Sequence, residues 1–106
     1  METIQSSIDR LVEQIVQLAH PVRVVLFGSA ARGDIGPDSD IDVLVVMPDG
    51  THRRRTARRI HRGVRNVGIP FDVVVATPTD IEKHKENKGL IYRSILREGR
   101  EVYVAS

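Results

Sequence analysis

The chain has 106 residues, 41% of them apolar, a formal net charge of +2 and no cysteine. That length suits one domain (1–106) with a real core, but it is too short for a catalytic lobe plus a separate substrate lobe. Disulfides and thiolate metal sites are excluded. No apolar run reaches membrane-span length and the N-terminus lacks a signal-peptide layout, so the expectation is a cytoplasmic protein with no membrane partner.

Ile4, Ile8, Leu11, Ile15 and Leu18 recur at steps of four and three, which predicts an amphipathic helix over 3–19, ended by Pro21. Val22 to Phe27 reads as a short buried strand that breaks at Gly28-Ser29, with one helical turn after it. The stretch from Asp34 to Ser39 holds Gly36 and Pro37 and reads as a loop. Ile41 to Met47 is the second predicted strand, with a turn at Pro48-Asp49-Gly50. An Arg-rich helix follows, its apolar face marked by Ala57, Ile60, Val64 and Val67. Phe71 to Ala76 is a third strand. Thr77-Pro78-Thr79-Asp80 then carries a hydroxyl cap, proline at the first helical position and an acid three after the cap. Leu90, Ile91, Ile95 and Leu96 predict a closing helix capped by Gly99, and Glu101 to Val104 a last edge strand. Strands alternating with helices make an α/β (α+β) domain, a mixed sheet flanked by helices.

Three features carry chemistry. Gly28-Ser29 follows a strand and opens a helical turn, where glycine lets a backbone approach an anion and the serine hydroxyl adds a donor. Arg32, one turn on, is within reach of a terminal phosphate. Alone, such a turn is usually only a tight bend. Asp40 and Asp42 sit at i and i+2 of a strand, so they share a face about 6.6 Å apart along the chain. Two like charges so placed repel, and divalent cations between them would keep both ionised. The plain alternative is a capping Asp40 and a solvated Asp42. Asp72 enters an apolar strand where a carboxylate needs a partner or a metal. If that strand lies beside the second, the three acids form one cluster, suited to two metals roughly 3.5–4 Å apart.

The pattern Gly28-Ser29, Arg32-Gly33-Asp34, Ser39-Asp40-Ile41-Asp42 and Asp72 resembles the minimal nucleotidyltransferases of the DNA polymerase β superfamily. The resemblance runs over nearly the whole chain, including Ile95 to Tyr103. It implies a palm-like fold and a transferase that uses ATP or another NTP and depends on two Mg²⁺ ions. Gly28, Ser29 and Arg32 would hold the nucleotide, Asp40 and Asp42 would ligate both metals, and Asp72 would hold the catalytic metal and help deprotonate the acceptor. The resemblance further implies an antitoxin, in a hetero-oligomer with a HEPN-domain toxin, that transfers AMP to a toxin tyrosine. A binding-only antitoxin and a stand-alone small-molecule transferase are the competing readings.

Seven arginines fall between Arg53 and Arg65, whereas acids gather from Asp34 to Asp49. The basic helix is open to three readings: a solvated face, a dock for an acidic partner, or a nucleic-acid surface. No aromatic residue interleaves the arginines to stack bases, so nucleic acid is not the expected partner. Leu44, Val46, Val74 and Ala76 share the acids' face, and so short a lobe is expected to leave that face partly uncovered for a partner. The four histidines read as surface or cap residues rather than ligands.

Overall fold

The computed structural model describes residues 3–33, 40–83 and 89–105, so the expected loop Asp34–Ser39 and His84 lie outside it. Helix α1 spans Ile4–Ala19. Thr3 opens it, its hydroxyl accepting from the Ser6 amide at 3.0 Å. The helix stops where His20 turns left-handed at φ 51°, just before Pro21. Ile8, Leu11 and Ile15 point inward at helical spacing and are buried.

Strands β1 (Arg23–Phe27), β2 (Ile41–Val46), β3 (Phe71–Ala76) and β4 (Arg100–Val104) form one mixed sheet in the order β3-β2-β1-β4. β1 runs antiparallel to both β2 and β4, while β2 and β3 are parallel. A parallel pair needs a crossover, and α3 (Arg53–Gly63) supplies it. Alternation along the strands gives the sheet two apolar faces. One carries Val24, Leu26, Val43 and Val45 and packs against α1 and α3 through Leu11, Ile15 and Ile60. The other carries Val25, Leu44, Val46 and Ala76.

That second face is not left open, contrary to the sequence expectation. Helix α5 (Gly89–Glu98) lays Tyr92 and Ile95 across it, and Leu44 and Ala76 are fully buried. Val74, on the edge strand, stays half-buried.

Two helical boundaries also differ. α3 ends at Gly63, so Val64 and Val67 lie beyond it, although both are buried. Asn66 at φ 61° and Gly68 at φ 85° bend the connection into left-handed turns, which no helix continues through. After β3 the chain forms α4 (Pro78–Lys83) and then the separate α5. The start of α4 is the reciprocal cap read from the sequence: the Asp80 amide donates to the Thr77 hydroxyl at 3.2 Å, and the Thr77 amide donates to Asp80 Oδ2 at 3.0 Å. Gly99 follows α5 directly, its amide donating to the Ile95 carbonyl at 2.7 Å, and it has a second reason to be glycine. A Cβ there would fall 2.8 Å from the Leu26 carbonyl oxygen, because the chain crosses β1 at close range to begin β4. Among the described residues no helix is long and apolar enough to cross a membrane.

Candidate active site

The sheet brings two sequence-distant acids together. Asp42, second residue of β2, pairs in register with Asp72, second residue of β3. In a parallel pair, residues in register point to the same face, so the carboxylates at 42 and 72 become neighbours. Asp40 precedes β2 by one residue and sits two positions from Asp42, on the same side of the chain. Asp42 is half-buried, whereas Asp40 and Asp72 are exposed.

Electrostatics record the cluster. The Asp42 carboxyl is pushed above its ordinary range, first by burial, then by the negative charge of Asp72, then by that of Asp40. A group so placed gains from a nearby cation. Among the described residues, no three His, Asp or Glu side chains form a ready-made metal cage. The donors are all carboxylate oxygens, however, and Mg²⁺ commonly takes one or two carboxylates and fills its shell with water and substrate phosphates. The residues present therefore fit a shared, partly hydrated ion rather than an all-protein site.

The turn after β1 lies against these acids. Phe27 pairs with Asp42, and Gly28 follows at φ 70°. A Cβ at position 28 would lie 2.5 Å from Asp42 Oδ2. Only glycine meets both demands, the positive φ and the close approach of the carboxylate. Helix α2 (Ser29–Arg32) starts there as a single turn, with the Ala31 and Arg32 amides donating to the Gly28 carbonyl at 3.2 and 3.3 Å. The amides of Ser29 and Ala30 come before the first turn closes and have no acceptor within it. Ser29 is half-buried and Arg32 is exposed at the far end of the turn.

The structure thus gathers Gly28, Ser29, Asp40, Asp42 and Asp72 at one end of the sheet, with Arg32 at its margin. Three of the histidines fall elsewhere. His20 closes α1; His52 caps α3 by accepting from the Arg55 amide at 3.1 Å; His61 stacks on Phe71 with centroids 5.1 Å apart. A further tie has no signal in the sequence: Asp49 Oδ1 accepts from the Thr79 amide at 2.9 Å and joins the β2–α3 turn to the start of α4. That bond, with further hydrogen bonds from Thr79 and Thr77, holds the Asp49 carboxyl below its ordinary range.

A family model for the nucleotidyltransferase domain matches residues 8–102. The chain belongs to that family. Among solved structures, this nucleotidyltransferase domain is similar to a candidate nucleotidyltransferase from Sulfolobus solfataricus determined at 1.40 Å, with 27% identity and a TM-score of 0.52. The match covers 76% of this chain and 78% of that one. It also shares its fold with a toxin–antitoxin solved with AMP-PNP, at 18% identity and a TM-score of 0.57. A third likeness is to a MntA-HpeT toxin–antitoxin mutant bearing two Asp-to-Glu changes, at 17% identity and a TM-score of 0.56. Both of these matches cover 99% of this chain and 76% of the other. Among curated proteins none matches by sequence.

Proposed function

We propose that this nucleotidyltransferase domain transfers AMP from ATP to a tyrosine hydroxyl of a HEPN-domain toxin and serves as that toxin's antitoxin. The observation that carries the chemistry is the register of Asp42 with Asp72 beside the Gly28-Ser29 turn. The partner assignment draws support from the shared fold with two toxin–antitoxin structures, one solved with AMP-PNP.

Each residue has a task in this reading. Ser29, with the amides at the start of α2, binds the triphosphate, and Arg32 contacts its outer phosphates. Asp40 and Asp42 would hold the Mg²⁺ ions, and Asp72 would join them at the catalytic one. When bound, Mg²⁺ supplies charge neutralisation of the phosphates and lowers the pKa of the attacking hydroxyl. Asp72 takes the proton of the acceptor hydroxyl. The hydroxyl oxygen bonds to the α-phosphorus, the bond to the β-phosphate bridging oxygen breaks, and diphosphate leaves. Asp72 is exposed and on the edge strand β3, so a bulky acceptor can reach it without disturbing the sheet.

The test is to incubate the protein with its neighbouring gene product, ATP and Mg²⁺, and to locate added AMP by mass. Asp40→Asn with Asp42→Asn should abolish both the modification and protection of the cell. Protection that survives the double substitution would establish neutralisation by complex formation instead. Modification of an added small hydroxyl compound, with the protein partner untouched, would establish the stand-alone enzyme.

A further inference from the structure

The α1–α3 layer lies across the sheet from the acids; α1 exposes Asp9 and Glu13, whereas the outer surface of α3 has an unusual composition. Every exposed residue of α3 is basic or histidine: Arg53, Arg54, Arg55, Arg58, Arg59, Arg62 and His61. Thr56 and Ile60 face inward and are buried. Arg53 is 3.6 Å from Asp80. Among the described residues, none of Arg54, Arg55, Arg58, Arg59 and Arg62 has a carboxylate partner. Four of these line a groove of about 440 Å³ with Leu18 and Gly63.

The arrangement works against the helix that carries it. Arg53 to Arg55 occupy the first turn, where the helix dipole favours acids, and no acid is present there. Arg55, Arg58, Arg59 and Arg62 fall at i, i+3, i+4 and i+7, so neighbouring guanidinium groups repel along one stripe. A polyanion laid along the stripe would relieve both penalties at once.

We infer that the arginine face of α3 binds the phosphate backbone of duplex DNA, without regard to base sequence. Three observations select this occupant. The groove holds a single apolar side chain, Leu18, and no aromatic one. Protein partners bind through aromatic and apolar anchors with charge pushed to the rim, whereas DNA-binding faces are much more basic. The missing aromatics also remove the stacking platforms that single strands require, a constraint that does not apply to a duplex whose bases stay stacked. Finally, a helix about 10–12 Å across with its side chains matches the B-form major groove, about 12 Å wide, while the deep, narrow major groove of duplex RNA excludes it. The lack of aromatic residues among the arginines bears on base stacking only, and backbone contact needs none.

The test is fluorescence anisotropy of the full chain with a labelled mixed-sequence DNA duplex over a salt series, repeated with duplex RNA and with poly-glutamate. Non-specific binding with Kd of about 10⁻⁴ to 10⁻⁶ M is expected. Four arginine contacts give a slope of log K against log salt of about −3.6 for B-form DNA. Arg55→Gln with Arg59→Gln should bring the slope to about −1.8 and weaken all DNA sequences alike, with the circular dichroism spectrum unchanged. Four results overturn the inference: no DNA binding at low salt, binding untouched by the double substitution, duplex RNA bound as tightly as DNA, or poly-glutamate bound more tightly. None of them bears on nucleotidyl transfer, which uses residues on the opposite face.

Discussion

Asp42 stands directly opposite Asp72 across the parallel pair β2–β3, so two like charges occupy a position where strand pairs gain from attraction. The fold bears that repulsion together with partial burial of Asp42, and both raise its carboxyl above the ordinary range.

Asp42→Asn is therefore expected to separate stability from activity. Without metal at neutral pH the variant should melt above the parent, because a neutral amide removes both the desolvation and the repulsion. Transfer should fall by about three orders of magnitude or more, the scale of several kcal/mol lost when charge on phosphate goes unneutralised. The pH dependence follows from the sign. The folded value of Asp42 lies above its unfolded value, so its penalty is complete above the folded value and disappears as pH falls through both. The advantage of the variant should shrink in acid, read as converging melting temperatures. Asp49 has the opposite sign, and its contribution is present above its unfolded value and lost as pH falls through the folded one.

Gly28→Ala should damage catalysis more than folding. The positive φ costs on the order of 1–2 kcal/mol for a residue with a Cβ. The new methyl group also meets Asp42 Oδ2, the free end of a side chain, which will move rather than unfold the sheet. A melting temperature lower by roughly 4–16 °C with near-complete loss of transfer is the expected pair of readouts. Full activity in a folded Gly28→Ala protein would show that the carboxylate position at 42 does not matter.

Ile95→Ala tests whether α5 holds the acids' face closed. Ile95 is buried against Val25, Leu44 and Ala76, and its truncation should cost about 2–5 kcal/mol in chemical denaturation. Hydrogen exchange should then rise in α5 and in β2 at Leu44, with α1 changed less.

Arg58→Glu should stabilise the protein. Position 58 faces Arg54, Arg55 and Arg62 at helical neighbour spacings, so one substitution turns three repulsions into attractions worth about 1–2 kcal/mol in total. The gain should diminish at high salt, where the parent helix is already screened. No change in melting temperature at low salt would show that the stripe carries no internal strain.

Much of this protein follows from local chemistry. The steps of four and three in α1, the reciprocal cap of Thr77 and Asp80, and the break at Gly28-Ser29 each depend on residues within one or two turns, so the sequence displays them directly. The candidate acids were legible for the same reason, as carboxylates where apolar residues belong. What the sequence by itself could not determine is which acid faces which. The 42–72 register depends on α3 returning the chain beside β2, a contact between residues thirty apart. The closure of the second face was equally hidden, because the burial of Leu44 and Ala76 is decided by where α5 lands and not by their own strands. Local periodicity fixes faces, whereas burial and electrostatic coupling arise only between elements brought together by the chain path.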